Sequence, residues 1–337
     1  MLTRKQFITG GLGLAGAAAS GRLARAEDPI ELKVSHYLPP NHTYQKELVS
    51  WGEELEKASN GRLKLRVYPA SQLGPVNRQY DMARNGVADI TVVLHGATPG
   101  RFPTSELASL PYTSPSAGNS SAIASRRITE LADKYLVQEH PGVKILWMAM
   151  TNPLLFHTAK TPIRKLEDFK GLRVRYAGEQ FAQIITLLGA TPLAVPPGET
   201  QDGLAKGIID SATFPYEATQ SFDLGTVVKY SLEPGVSSAT FAVVMNQRKF
   251  DSLPADLQAL IVKTTGIERA AHFGAAWDVA EKAGRDYMLA KGVQIVSMAP
   301  DDLAAVKAKL APMVNAALDS VEKAGKPGRA FLAAYTA

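Results

Sequence analysis

The chain has 337 residues, 45% of them hydrophobic and 20% charged, with 27 Gly, 21 Pro and no Cys; this is the composition of a folded protein of one large or two medium domains, not of a disordered, collagenous or coiled-coil chain. Zero Cys excludes disulfides, thiolate metal sites and cysteine nucleophiles. The formal charge of +5 is concentrated at the start: Arg4, Lys5, Arg22 and Arg25 lie ahead of Glu27, and without them 33 basic side chains face 32 acidic ones, so the body has no basic surface for a nucleic-acid backbone.

Residues 1–26 read as an export signal. A basic head is followed by an apolar stretch of small residues, and Ala24-Arg25-Ala26 fits a small-x-small cleavage site, which predicts a cut after Ala26. Arg4-Lys5 resembles a weakened twin-arginine signal, which leaves the Sec and Tat routes both open. No later stretch reaches the roughly 20 apolar residues of a membrane span, so a soluble periplasmic protein is expected. Gly11-Leu12-Gly13-Leu14-Ala15-Gly16 spells a dinucleotide fingerprint but has no strand before it and lies inside the signal, so it carries no weight.

From Ile30 strands and helices alternate, which predicts α/β architecture. Residues 30–36 alternate as a strand, and Tyr44, Leu48, Trp51, Leu55 and Ala58 form a helical stripe. Asn41 and Thr43 are candidate caps at its start, and Asn60-Gly61 is its stop. Residues 63–68 form a strand, 76–85 a helix and 89–94 a strand. The second half repeats the order with a strand over 171–176, a helix marked by Phe181, Ile184, Ile185 and Leu188, a strand over 191–195 and a helix over 200–206. Each half steps from helix to strand through Gly-x-x-Asp, at Gly86 to Asp89 and at Gly207 to Asp210. This is either a structural duplication or Gly acting as a common helix stop.

The apolar runs 143–150 and 240–245 flank the second half, so the chain crosses between lobes near 150 and returns near 240, forming a hinge. Residues 254–291 read as one helix of roughly 55 Å, at about 1.5 Å per residue. A helix of that length either braces both lobes or kinks at Gly266, Gly274 or Gly284. The expectation is a two-lobed clam of the periplasmic-binding-protein type. Lobe I takes 27–150 and about 240–275, lobe II takes 151–239 and about 285–310, and 311–337 form a C-terminal helical segment.

Catalytic signatures are absent. His36, His42, His95, His140, His157 and His272 form no His-Glu-x-x-His, and there is no Gly-x-Ser-x-Gly and no P-loop. His36 and His42 across Pro39-Pro40 read as loop or cleft hydrogen bonding; no metal and no cofactor is expected, and Glu53-Glu54 and Asp301-Asp302 read as solvated faces.

Gly61-Arg62-Leu63 with Ser71-Gln72-Leu73-Gly74, the segment from Leu166 to Arg175, Leu188-Gly189-Ala190-Thr191-Pro192, Gly207-Ile208-Ile209-Asp210 and Leu253-Pro254 occur in this order. Together they resemble the solute-binding proteins of TRAP transporters (the DctP-like family), from about Leu32 to Gly292. The resemblance implies a two-lobed fold with a bracing helix, no enzymatic activity, an organic acid ligand, and delivery to the small and large membrane subunits of a secondary transporter. It also implies that Arg175 grips the ligand carboxylate, a role for which the planar guanidinium fork is suited. Arg173 shares the strand face and is the competing candidate.

Two positions depart from relatives that take dicarboxylates or sialic acid. Phe214 stands where an Asn hydrogen-bonds the ligand, and Leu154 falls near a second Arg. Losing an amide and a cation while gaining a phenyl disfavours a second carboxylate, so an aromatic or apolar monocarboxylate is expected, with Phe214 and Tyr216 stacking on a ring; Phe214 as hinge core is the alternative. His157, Thr98, Arg101, His36 and Tyr37 are further cleft candidates, since open α/β sheets bind ligands beyond strand C-termini. A C4-dicarboxylate or 2-oxo acid is the alternative ligand, and a sensor subunit or a periplasmic enzyme the alternative class.

Overall fold

The computed structural model describes residues 28–176 and 178–337; the predicted export signal and its cut after Ala26 lie outside the described residues. The chain opens with β1 (Ile30–Ser35), α1 (Thr43–Ala58), β2 (Leu63–Tyr68), α2 (Gln79–Asn85), β3 (Ile90–Leu94), α3 (Ser121–Tyr135) and β4 (Val143–Met150). There follow β5 (Leu154–Thr158), β6 (Arg173–Arg175), α4 (Glu179–Leu188), β7 (Thr191–Leu193), α5 (Thr200–Ala205), β8 (Ser211–Phe214), α6 (Tyr216–Ser221) and β9 (Tyr230–Ser237). The rest is β10 (Thr240–Asn246), α7 (Gln247–Asp251), α8 (Ala255–Thr264), α9 (Ile267–Ala290), β11 (Gln294–Ser297), α10 (Pro300–Lys323) and α11 (Gly328–Thr336).

These strands make two sheets and hence two lobes. The first is ordered β2-β1-β3-β10-β4, and the second β11-β9-β5-β8-β6-β7. The β-α-β-α-β opening makes β1, β2 and β3 parallel, and returning β10 pairs antiparallel with β3 and β4. In the second sheet β6, β7 and β8 are parallel, with β5 antiparallel to β8 and β9. The strand predicted over 191–195 stops at Leu193, short of Pro196 and Pro197.

Both Gly-x-x-Asp steps build the same clamp. Gly86 and Gly207 take φ of 76° and 68°, the left-handed conformation that ends a helix at little cost for Gly. The Asp89 carboxylate accepts the Lys33 N–H at 2.8 Å while its own N–H donates to Lys33 O at 2.9 Å. Asp210 does the same with Arg173, at 2.9 and 2.8 Å. The repeat is therefore more than a helix stop: each Asp locks one strand to its parallel neighbour at the same place in its lobe.

The N-cap of α1 is His42, whose Nδ1 accepts the Tyr44 N–H at 3.1 Å. The predicted caps Asn41 and Thr43 reach instead into the second lobe, to Ser221 O and to the Glu217 carboxylate. At the other end Asn60 and Gly61 are left-handed, as the stop requires.

The lobes are joined by two adjacent crossings and a helix. Where the chain leaves β4 and re-enters β10, Thr151 N–H donates to Ala239 O at 3.1 Å, and Ala239 N–H donates to Thr151 Oγ1 at 2.9 Å. The helix predicted over 254–291 is broken at Gly266, whose φ of 79° and ψ of −149° are open only to Gly. The Gly266 N–H is thereby freed to bond Leu146 O at 2.7 Å.

The remaining 24 residues of α9 touch both lobes. One turn apart, Asp278 accepts the N–H groups of Ser121 and Ala122 at the start of α3, at 2.7 and 3.1 Å, and Glu281 accepts those of Tyr216 and Glu217 at the start of α6, at 3.0 and 2.9 Å. Each acid satisfies orphan donors at a helix start. Glu281 is buried, which pushes its carboxyl up to about 7 against those two N–H bonds. A core of Tyr44, Trp51, Trp147, Phe273 and Trp277, all essentially inaccessible, packs α1 and α9 onto the first sheet. Then α10 packs on α4, and α11 on α3. Among the described residues no helix is long and apolar enough to cross a membrane.

Close approach of α9 to α6 depends on Gly284, where a Cβ would lie 2.1 Å from Tyr216 O. Ala gains ~1 kcal/mol in helix propensity, but overpacking against backbone costs ~1 to 3 kcal/mol or more. Gly284→Ala is therefore expected to lower the thermal midpoint by several degrees, measured by calorimetry; an unchanged or higher midpoint would show that the contact is not tight.

Candidate functional site: a buried arginine in the interlobe cavity

The strand ends of both lobes converge on one cavity. The first lobe contributes Tyr37, Leu38, His42 and Leu94. The second contributes Arg175, Pro197, Phe214, Pro215, Glu217, Ala218 and Phe222. The crossings add Thr151, Leu154, Ala239 and Phe241, and α9 adds Trp277.

Arg175 is the last residue of β6 and only 3% exposed. Its Nε donates to Val195 O at 3.2 Å and an Nη to Thr213 O at 3.1 Å, and the guanidinium lies 4.1 Å from the centre of the Phe214 ring. A guanidinium has five N–H donors, so these two carbonyls fix its plane and leave donors over. Among the described residues no carboxylate comes within ion-pair distance of it. Burial lowers its pKa to about 10, so it stays cationic near neutral pH. Such a cation is costly unless paired, and a carboxylate entering the cavity supplies the pair.

The Phe214 ring is 5% exposed, floors the guanidinium, packs on Phe222 at 5.6 Å between ring centres and lines the cavity. Leu154, in place of a second Arg, is an apolar wall. Tyr37 lines the cavity, and burial pushes its hydroxyl well up from the usual phenol range, so it is a neutral donor.

The other candidates lie outside the cavity lining, each with a polar partner of its own. Arg173, half-exposed at the start of β6, forks onto Asp210, with Nε and Nη both at 2.9 Å, and does not line the cavity. His157 is fully buried between strands; its Nε2 bonds Phe214 O at 3.0 Å and its Nδ1 the Ser231 hydroxyl at 2.8 Å, and burial lowers its pKa to about 4. The Tyr216 hydroxyl donates to Glu233 at 2.9 Å. Arg101 pairs with Asp81 at 2.7 Å over the Tyr80 ring, Thr98 caps back onto His95 O, and His36 bonds Gln45 at 2.7 Å. None of these residues lines the cavity.

Sequence reasoning missed Glu217, His42 and Trp277 as lining residues. Glu217 follows Phe214 by three at the end of β8, which was the available signal; Trp277 enters from a helix distant in sequence, which local pattern does not reveal. A wider, open groove between 99–107, 179–192 and α10 carries Glu106 and Glu179; burial pushes Glu106 up to about 7, and two acids suit an anion poorly. Among the described residues no cluster of three or more His, Asp or Glu could hold a metal.

Two α/β lobes, two crossings and a buried cation between them define a binding protein that holds a solute between its lobes. The profile of the bacterial extracellular solute-binding proteins, family 7 (DctP), matches residues 34–320, and the chain belongs to this family, the solute-binding proteins of TRAP transporters. It is 32% identical to a TRAP periplasmic solute-binding protein of Bordetella bronchiseptica with bound mandelate, with a TM-score of 0.84, covering 91% of this chain and 98% of that one. A TRAP solute-binding protein of Rhodoferax ferrireducens T118 with copurified benzoate is 28% identical, with a TM-score of 0.85, over 91% and 96% of the two chains. The C4-dicarboxylate-binding periplasmic protein DctP of Rhodobacter capsulatus is 26% identical over 276 residues, 80% of this chain and 79% of that one.

Because the Arg173 guanidinium is engaged by Asp210 outside the cavity, Arg173→Ala is expected to leave benzoate affinity within about twofold of wild type by calorimetric titration, well inside the scale of a lost charged hydrogen bond. A loss of tenfold or more would return Arg173 to the ligand site.

Proposed function

We propose that the mature protein, exported to the periplasm and cut after Ala26, captures an aromatic or apolar monocarboxylate by closing its lobes and presents it to the small and large TRAP membrane subunits. The observation that carries this reading is Arg175: a buried cation without an acidic partner among the described residues, stacked on Phe214 and facing a cavity walled by Phe222, Phe241, Trp277 and Leu154. One carboxylate completes the guanidinium, and a ring or aliphatic body replaces water against the walls at ~25 cal/mol per Å² of apolar surface buried. Bound benzoate and mandelate in the two related structures support this class. Closure follows if the ligand binds the closed form more tightly than the open one, since equal affinity for both shifts nothing.

A C4-dicarboxylate is the second reading, favoured by the named ligand of the Rhodobacter relative. A thermal-shift panel of benzoate, mandelate, 2-oxo acids and succinate separates the two, because a ligand at 100 times its dissociation constant adds about 2.7 kcal/mol of stability. The expected result is an upward shift of several degrees with benzoate or mandelate and little with succinate. A shift with succinate alone would overturn the monocarboxylate assignment.

A further inference from the structure

The cavity holds a second charged group. Glu217, in the first turn of α6, is 3% exposed and lines the same cavity as Arg175. Its Oε1 accepts from Thr43 N at 3.3 Å, from Thr43 Oγ1 at 3.1 Å and from Ser221 Oγ at 3.0 Å, while its Oε2 lies 3.1 Å from His42 Nε2. Since His42 Nδ1 accepts the Tyr44 N–H, the ring proton is on Nε2, close beside Glu217 Oε2 but short of hydrogen-bond geometry, so Oε2 has no hydrogen-bond partner. Burial works against the ionised form, but His42, Thr43 and Ser221 outweigh it and hold the carboxyl below its usual range.

Every one of these partners except Ser221 belongs to the first lobe, at the N-terminus of α1, whose partial positive charge adds to the attraction. The contacts join one lobe to the other. Asn41 Nδ2 adds a further cross-lobe bond to Ser221 O at 3.3 Å.

We propose that Glu217 is the specificity-determining residue of the cavity: it latches the closed lobes through His42 and Thr43, and its fixed negative charge admits a ligand with one carboxylate while rejecting a second. This rests on the carboxylate-binding reading of Arg175. One carboxylate neutralises Arg175 and leaves Glu217 balanced by the first lobe. A second would meet an ionised carboxylate in a site closed to water, where like charges repel far more strongly than in solvent. The distal part of the ligand is therefore neutral, and a hydroxyl or amide donor there finds an acceptor in Glu217.

The test uses two probes of the same shape, 3-carbamoylbenzoate and benzene-1,3-dicarboxylate, titrated calorimetrically into wild type, Glu217→Gln and Thr43→Val. Wild type is expected to prefer the carbamoyl compound by at least ~10-fold, a single like-charge contact being worth that much or more in a desolvated site. Glu217→Gln is expected to narrow the preference to within about threefold, the residue of neutral hydrogen bonding. Thr43→Val keeps the charge and removes one latch donor, so it is expected to weaken both probes alike, by ~2- to 10-fold, with the preference intact. An unchanged preference in Glu217→Gln, or no preference in wild type, would overturn the assignment. Failure of the Arg175 reading looks different: wild type would then bind none of benzoate, 3-carbamoylbenzoate and the dicarboxylate, which overturns the role of Glu217 with it, whereas binding of the dicarboxylate alone would overturn the role of Glu217 and leave Arg175 as a carboxylate site.

Discussion

A guanidinium taken out of water without a counter-ion is expensive, and the fold around Arg175 is arranged to keep it that way. Two main-chain carbonyls and the face of Phe214 hold its plane, which supplies orientation but no negative charge. The deficit can be removed only by an anion entering between the lobes. On the proposed reading, affinity for a carboxylate and the geometry of closure are two consequences of one buried charge.

For that deficit to drive closure, the lobes must move as bodies and meet in a defined register. The crossings at Thr151 and Ala239 are bonded to each other and form a narrow waist between the sheets. Helix α9 supplies the register: Asp278 holds the start of α3 and Glu281 the start of α6, with Gly274 and Gly284 letting the backbones approach. Since α6 also carries Glu217 to the tip of α1, the brace, the latch and the cavity wall share one short helix.

Much of this was legible in the sequence because it is written in local chemistry. The helical stripe of α1, the β-α-β order of each half, the Gly-x-x-Asp steps and the apolar runs that became β4 and β10 all follow from periodicity and turn residues. Arg175 came from a family motif, not from periodicity, which cannot separate it from Arg173; the deciding fact is that Asp210, 37 residues on, engages one and not the other. His157, Arg101, Thr98 and His36 fall outside the cavity lining because other groups hold them: Phe214 O and Ser231 hold His157, Asp81 holds Arg101, His95 O holds Thr98 and Gln45 holds His36. Glu217 and His42 went unread for the converse reason: each looks ordinary alone, and their meaning lies in a contact between residues 175 positions apart.

The central claim is that Arg175 is the carboxylate anchor, and the most direct measurement is a crystal structure of the mature protein with bound benzoate. The account predicts both carboxylate oxygens within ~3 Å of the Arg175 guanidinium nitrogens, at the spacing of a charge-assisted pair, with the ring between Phe214 and Trp277. Benzoate bound with its carboxylate on other donors, and Arg175 still facing only Val195 and Thr213, would contradict it.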